Sequence, residues 1–465
     1  MDETEKYIRS LLLQQGIDPE RQEQLFREFV SQEENSNNVK SIRLLQEKMT
    51  KSWQLIARRE EIKNLQIALP NGIAGKPYKA DFDLKLFGLE DLTAFELSGF
   101  EGSGLGYDSN TNIISGTPQN SGDIPLVLRY NFDAEPDDAE PNTRKVLIII
   151  NPDPKSLWKN LPSDTNDQFA KADDVSEAVT LLGRTLLVSS KRGRSHANKG
   201  SFRDDDYAYA ELDSGWGIIA VADGAGSAAF SRKGSAIACN SVVDYFRQNF
   251  TKENTLLIDE AIAAYAANPG IKERLLDIAR PYLSAAAKKA NADIEQFADS
   301  IETPVNDFHA TLAFALVKQY PQGYAFFGFG VGDCPVALAD KNFEWVKPLN
   351  RLDVGEFGGG TRFITMPEVF KNENFEGRFY FEFVTDFPYL VLMTDGIYDP
   401  KFEVEANLVK PEKWKLFFDD LQGNNSENAN IDLNGNSDGL AETLSQWMDF
   451  WSPGNHDDRT LTILF

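Results

Sequence analysis

The decisive stretch of the sequence is Ile218 to Ser227, IIAVADGAGS, an apolar run that stops at an aspartate and turns through glycines. A short apolar run bounded by Asp-Gly predicts a buried strand that ends in a turn. Leu390 to Tyr398, LVLMTDGIY, is built in the same way. The sequence therefore predicts two buried strands that present Asp223 and Asp395 at their ends.

Two acidic clusters stand at the ends of further β-type segments. Asp204 to Asp206 precede the alternating residues Tyr207 to Ala210, and the pair Asp457 and Asp458 precedes the apolar C-terminal run. An aspartate at a strand end is ordinary by itself, because Asp suits turns. The recurrence of the pattern at four places predicts that these carboxylates converge in one pocket.

The order of these motifs resembles that of the type 2C metal-dependent protein phosphatases. That family carries an acidic pair, then Asp-Gly-x-Gly, Gly-Asp, Thr-Asp-Gly and Asp-Asp-x-Thr. Here Gly332 and Asp333 fill the Gly-Asp place, and His309 to Leu312 resembles the Thr-Thr-Leu strand of the family. The resemblance covers roughly Leu181 to Phe465 and is closest to a divergent bacterial subset with accessory modules. It implies a layered α/β/β/α sandwich.

The resemblance also implies a centre that binds two or more Mn²⁺ or Mg²⁺ ions. Asp223 would bridge both ions, and the carbonyl of Gly224 would bind one of them. Asp395 and Asp457 would complete the coordination of the other. Carboxylate and carbonyl oxygens are the ligands that these hard cations prefer. With three histidines and two cysteines in the chain, a zinc site is poorly supplied.

Two other acidic motifs have different expected roles. The acidic pair of the family corresponds to Asp206 with Asp205 beside it, and the register of this metal-binding pair is open by one residue. Asp333 is expected to hold the loop beneath the site rather than to bind an ion. The three positions complete the set of carboxylates that the resemblance assigns.

A phosphatase site also needs a cation for the phosphate and a proton for the leaving group. Guanidinium can bind phosphate oxygens bidentately, which makes Arg203 the first candidate, with Lys199 and Arg194 as rivals. A solvated basic turn explains these side chains equally well. Animal members of the family carry His after Asp-Gly, where Ala225 stands here. A metal-bound water or His196 is then the candidate acid, and His196 is equally well explained as a turn residue.

The expected function is that of a metal-dependent Ser/Thr phosphoprotein phosphatase, in which Asp223, Arg203 and His196 are the catalytic residues. Phosphate monoesters hydrolyse extremely slowly without help, and two divalent ions can polarise the phosphoryl group and activate water. The alternative is a catalytically silent phosphatase-like module that binds a phosphoprotein or a Ser/Thr kinase partner. Ala225 and the irregular spacing of Arg203 from the acidic pair motivate that alternative.

The composition limits the classes of partner. The chain has 465 residues, of which 72 are acidic and 47 basic, so its net charge is −25. Such a charge opposes binding to nucleic acid, and it repels a phosphoester unless metal ions reverse the local field. Two cysteines cannot form a disulfide framework, and neither a membrane span nor a signal-peptide start is evident. We therefore expect a cytoplasmic protein.

The front of the chain differs in pattern from the back. Apolar residues recur at helical spacing up to about Glu60, and the polar stretch Glu33 to Asn38 is expected to separate two helices. Gly104 to Pro118, GLGYDSNTNIISGTP, resembles the repeat of immunoglobulin-like bacterial domains. The chain is therefore expected to be multidomain. The expected divisions are a helical segment at 1–62, an immunoglobulin-like β-sandwich at 63–151, a linker at 152–180 and the phosphatase-like domain at 181–465.

Overall fold

The computed structural model describes residues 2–132, 135, 139–267, 270, 272–353, 360–434 and 439–465. The chain divides into two compact units, Met1–Leu157 and Trp158–Phe465. No helix in the described ranges combines the length and the apolar character that crossing a membrane requires.

The first unit begins with three helices. They are α1 (Glu3–Gln14), α2 (Glu23–Val30) and α3 (Glu33–Asn64). Ile8, Phe26 and Val39 are buried together and hold the three helices to one another. The break expected at Glu33 to Asn38 is wrong, because these residues begin α3. Glu33 and Glu34 in the first turn of α3 suit the positive end of the helix dipole. The break between α2 and α3 lies before them and includes the extended Gln32.

Two small sheets make up the rest of the first unit. Their strands are β1 (Gly72–Ile73), β2 (Tyr78–Asp81), β3 (Leu92–Ser98), β4 (Leu105–Asp108), β5 (Ile113–Gly116), β6 (Gly122–Phe132) and β7 (Asn142–Asn151). The strand orders are β1-β7-β6-β3 and β2-β5-β4. The buried side chains of both sheets and Ile62 of α3 share one core. Gly116 has φ 146°, and a Cβ there would lie 2.2 Å from the carbonyl oxygen of Gly104, so the β4–β5 hairpin requires glycine.

The second unit contains two antiparallel sheets. Its strands are β8 (Asp174–Leu181), β9 (Arg184–Lys191), β10 (Asp206–Glu211), β11 (Gly217–Ala222), β12 (Leu312–Tyr320), β13 (Gly323–Val331), β14 (Val336–Ala339), β15 (Val346–Pro348), β16 (Phe379–Val384), β17 (Tyr389–Met393) and β18 (Arg459–Leu464). The strand orders are β10-β11-β12-β13-β16 and β15-β14-β17-β18-β9-β8.

Helices cover the outer faces of these sheets. They are α4 (Arg194–Ala197), α5 (Ser231–Asn249), α6 (Leu256–Ala267), α7 (Lys272–Ser300), α8 (Asn372–Glu376), α9 (Asp395–Phe402), α10 (Pro411–Leu421) and α11 (Leu440–Trp447). Alternate side chains of β11 enter different cores: Ile219 and Val221 pack between the sheets, and Ile218 packs with α5 and α7. A third core joins the six-stranded sheet to α9, α10 and α11. The unit therefore has the predicted order of layers, helix, sheet, sheet, helix.

The sequence led us to expect a linker at 152–180, but the structure shows more than a linker there. Its last part is the edge strand β8, which pairs with β9 over its whole length. Before that strand, the Leu161 amide donates to the Ala197 carbonyl at 2.9 Å, and Arg232 pairs with Asp167 at 2.8 Å. The alternation in β8 is weak because an edge strand with one exposed side needs few apolar residues, and this hides it in the sequence.

The packing of α5 gives a stability prediction. A Cβ on Gly234 would lie 2.0 Å from the carbonyl oxygen of Phe308, so α5 approaches that turn more closely than any side chain allows. We expect Gly234→Ala to destabilise the second unit by about 2 kcal/mol, the usual scale of overpacking. Thermal unfolding measures the effect. Gly226→Ala is the control, since a Cβ there meets no atom within 4 Å, and an equal loss in both variants would contradict the argument.

Candidate metal centre

Four carboxylates from separate segments meet where the two sheets of the second unit pack together. Asp223 follows β11 of the five-stranded sheet, and Asp205 lies just before β10 of the same sheet. Asp395 begins α9 after β17, and Asp457 lies just before β18, so both come from the six-stranded sheet. Burial raises the pKa of Asp223 well above its ordinary value, and the charges of Asp395, Asp205 and Asp457 raise it further. Asp206 lies opposite Ala222 in the β10–β11 pair, Thr394 donates to Asp205 at 2.7 Å, and a Cβ on Gly396 would lie 3.2 Å from the Asp457 carbonyl oxygen. The segments that carry the four carboxylates are therefore neighbours.

One carboxylate oxygen of this cluster and one of the neighbouring Asp333 have no hydrogen-bond partner. They are Oδ1 of Asp395 and Oδ1 of Asp333, each buried and unpaired within the described part of the chain. Burial raises the pKa of Asp395 well above its usual range, and Asp457, Asp333 and Asp205 add to the effect. Asp333 uses its other oxygen, Oδ2, to accept a hydrogen bond from Thr361 at 2.7 Å. Buried, mutually repelling carboxylates with unpaired oxygens are the donor set that a hard divalent cation needs.

The two members of the acidic pair have different surroundings. Oδ2 of Asp205 accepts hydrogen bonds from the hydroxyls of Thr394 at 2.7 Å and Thr460 at 2.8 Å. Burial, with the charge of Asp458, raises the pKa of Asp205 to about 7. Oδ2 of Asp206 instead accepts from the ammonium group of Lys171 at 2.9 Å. The structure thus brings Asp205 into the cluster and gives Asp206 a cation as its partner.

Asp458 joins three loops around the cluster, a role that the sequence interpretation missed. Its Oδ1 accepts from the Gly193 amide at 2.6 Å, and its Oδ2 contacts Nδ1 of His196 at 2.8 Å and the Asp204 amide. Burial lowers the pKa of His196, but the bond to Asp458 and the neighbouring acidic charges outweigh it and raise the pKa to about 9. Ligand atoms of His196, Asp457 and Asp458 lie within 4.8 Å of one another.

Arg203 lies inside the protein, whereas the sequence interpretation expected it at the phosphate. Its side chain is 3% exposed, and its Nη1 donates to the Ser190 hydroxyl. Ser190 in turn contacts the Thr460 hydroxyl at 2.6 Å, so Arg203 supports the hydroxyl network that holds Asp205. Of the two rivals, Lys199 is exposed and lowers the pKa of Asp457, although burial raises that pKa overall.

The turn after Asp223 explains the Asp-Gly motif. The backbone amide of Asp223 donates to the Thr311 hydroxyl, and its carbonyl accepts from the Thr311 amide, both at 2.8 Å. These bonds join the end of β11 to the residue before β12. A Cβ on Gly224 would lie 2.6 Å from the Asp204 carbonyl oxygen, so only glycine fits here. Ala225 follows and donates its amide to the His309 carbonyl at 2.9 Å.

The family model of protein phosphatase 2C matches residues 192–452, more than half of the chain. This chain belongs to the protein phosphatase 2C family. The match includes Asp205, Asp223 and Asp395 and ends five residues before Asp457. The layered fold of the second unit agrees with this family. Comparison with curated proteins gives no match.

Solved structures similar to this protein phosphatase 2C member include bacterial serine/threonine phosphatases. Serine/threonine phosphatase Stp1 from Staphylococcus aureus is 12% identical, covers 62% of this chain and 96% of its own, and has a TM-score of 0.36. The S. agalactiae serine/threonine phosphatase is 12% identical, covers 63% and 99%, and has a TM-score of 0.37. The catalytic domain of PstP in complex with two manganese ions is 15% identical, covers 60% and 96%, and has a TM-score of 0.36.

Proposed function

We propose that this phosphatase 2C member hydrolyses phosphoserine and phosphothreonine monoesters in proteins, with water activated at a binuclear Mn²⁺ or Mg²⁺ centre. The observation that carries the proposal is the cluster of Asp205, which is buried, with the partly buried Asp223, Asp395 and Asp457. After burial, the side chains that raise the pKa values of Asp223 and Asp395 most are other carboxylates. Buried like charges are strongly unfavourable unless cations neutralise them, so the cluster is suited to binding metal ions.

The proposed ligands follow the motifs of the family. Asp223, the Gly224 carbonyl, Asp395 and Asp457 would hold the ions. Asp205 is the proposed contribution of the acidic pair, because Lys171 already neutralises Asp206. When bound, the ions would polarise the phosphoryl group and lower the pKa of water.

The remaining groups of the chain position the substrate and the leaving group. Nδ1 of His196 faces the carboxylate of Asp458, an acceptor, so it donates to it, and any proton given to a leaving oxygen comes from Nε2. Ala225 carries no proton to give. We infer that Lys199 contacts the phosphate, since Arg203 is buried against Ser190 and Arg194 donates to the Asp449 carbonyl.

We also infer the context in which the enzyme acts. Phosphoproteins are the proposed substrates, a cognate Ser/Thr kinase is the proposed partner, and the cytoplasm is the proposed location. The two sheets around one core in the first unit support an immunoglobulin-like module at 63–151 that spaces or recruits, and we assign it no catalytic residue.

Phosphate release from a phosphothreonine peptide tests the proposal. We expect turnover with Mn²⁺, loss of turnover in EDTA and recovery when Mn²⁺ is added back. Calorimetric titration of the same protein should show binding of at least two Mn²⁺ ions. Weak or absent Mn²⁺ binding without turnover would instead support the silent phosphatase-like module. Tight Mn²⁺ binding without turnover would contradict the proposed hydrolysis but not the proposed metal site.

A further inference from the structure

A pocket of about 170 Å³ lies in the second unit beside the carboxylate cluster. Five of its lining side chains are basic and three are acidic, although the chain as a whole has a net charge of −25. The basic residues are Lys159, Lys191, Arg192, Arg194 and Arg459. A local excess of positive charge on an acidic protein marks this basic pocket as a place where an anion is attracted rather than repelled.

The acidic residues of the basic pocket already have partners. Asp449 pairs with Lys191 at 2.9 Å, and Asp173 pairs with Arg192 at 3.1 Å. The third, Asp174, accepts from the backbone amide of Arg192 at 3.4 Å. These contacts neutralise Lys191 and Arg192 and leave the other cations of the pocket without a carboxylate.

Arg194 and Arg459 are held by backbone carbonyls instead of carboxylates. Nη2 of Arg194 donates to the Asp449 carbonyl at 2.6 Å, and Nη1 of Arg459 donates to the carbonyls of Met448 and Phe450. The two guanidiniums thus grip three consecutive carbonyls. Neither forms an ion pair in the described part of the chain, and the Nε of each is buried without a partner. Neutral acceptors fix both cations in place, so no carboxylate of the described residues pairs with either charge. Arg194 is the one a ligand can contact, because Arg459 is 4% exposed and adds only its positive charge.

One turn separates the basic pocket from the carboxylate cluster. Gly193 lines the pocket, and its amide donates to Asp458 at 2.6 Å. A Cβ on Gly193 would lie 2.3 Å from the carbonyl carbon of Asp457, so the turn is packed directly on the segment that carries a proposed metal ligand. Extended peptide advances about 3.3 Å per residue. We infer that residues near a phosphoresidue held at the cluster extend over this turn towards the pocket.

We propose that the basic pocket binds an oxyanion group of the substrate, a carboxylate or a second phosphate close in sequence to the phosphoresidue that is hydrolysed. The inference rests on the proposed function, and it narrows the substrates to acidic or multiply phosphorylated segments. Guanidinium groups suit both oxyanions, because they bind carboxylate and phosphate in the same bidentate geometry. Lys159, which is exposed at the rim, adds a further positive charge.

The test uses three peptides of equal length around one phosphothreonine, with neutral, glutamate or phosphoserine neighbours. Their affinities are measured by fluorescence anisotropy with Mn²⁺ on versions that carry a non-hydrolysable phosphonate, and their kcat/KM values by phosphate release with Mn²⁺. We expect the wild type to prefer the anionic peptides by roughly tenfold, the scale of one charge-assisted hydrogen bond. Arg194→Gln and Lys159→Gln should each reduce that preference. Arg247→Gln is the matched control, because Arg247 is exposed on α5 and outside the pocket lining.

The outcomes separate the pocket from the phosphatase activity. A preference in anisotropy that disappears in Arg194→Gln supports the pocket even if no peptide is hydrolysed. Equal affinity of the wild type for all three peptides overturns it, even if hydrolysis is fast. If Arg194→Gln does not fold, two results together would overturn the proposed pocket. They are an unchanged preference in Lys159→Gln and a preference that persists in 0.5 M salt, where the screening length is ~4 Å. The glutamate and phosphoserine arms show which oxyanion is bound more tightly.

Discussion

Asp205→Asn is expected to lower the rate of phosphate release about a thousandfold, whereas Asp206→Asn lowers it less than about tenfold. The reason is that Asp205 lies in the carboxylate cluster, held by the hydroxyls of Thr394 and Thr460, while Asp206 lies against Lys171. Asparagine keeps the shape of each side chain but removes its negative charge. The measurement is kcat/KM for a phosphothreonine peptide at saturating Mn²⁺.

The two variants are matched controls for each other, since they make the same change at adjacent positions. Circular dichroism and Mn²⁺ titration should show that Asp206→Asn remains folded and binds Mn²⁺ as the wild type does. A large loss of activity in Asp206→Asn with little loss in Asp205→Asn would reverse the proposed register of the acidic pair. Equal losses in both would show that Lys171 does not exclude Asp206 from the centre.

The sequence could not set this register, and the reason is physical. Three consecutive aspartates lead into β10, which begins at the last of them, and alternation along a strand allows either of two faces to point at the site. The choice depends on Lys171, which lies 35 residues from Asp206 along the chain. It also depends on Thr460, which lies 255 residues from Asp205. Contacts at such separations leave no local pattern in the sequence.

Other parts of the site were predictable because the signal is local. Apolar strands that end at Asp223 and Asp395 are continuous runs in the sequence, and both strands are buried as expected. The role of Asp458 was missed, although the Asp457–Asp458 pair was noted, because its hydrogen bond to His196 spans 262 residues. Burial of Arg203 was missed for the same reason, since an arginine beside three aspartates looks exposed in a sequence.

Asp395→Asn is expected to change the stability of the second unit in opposite directions with and without metal. Without metal, the variant should be more stable than the wild type by about 2 kcal/mol, because it removes one of several buried carboxylates that repel one another. That difference corresponds to a rise of roughly 4–8 °C in the midpoint of thermal unfolding. The removed charge is a proposed metal ligand, so the same variant should lose the stabilisation that bound ions provide.

With Mn²⁺ present at about 100 times its dissociation constant, the wild type should gain about 2.7 kcal/mol, and Asp395→Asn should gain little. Calorimetric scans with EDTA and with Mn²⁺ measure both effects on the unfolding transition of the second unit. Asp244→Asn on the exposed face of α5 is the control, and it should leave the response to Mn²⁺ unchanged. A variant that is less stable than the wild type in EDTA would mean that Asp395 stabilises the fold without metal. The cluster would then be a structural network, since a metal centre has to hold its carboxylates together against their own repulsion.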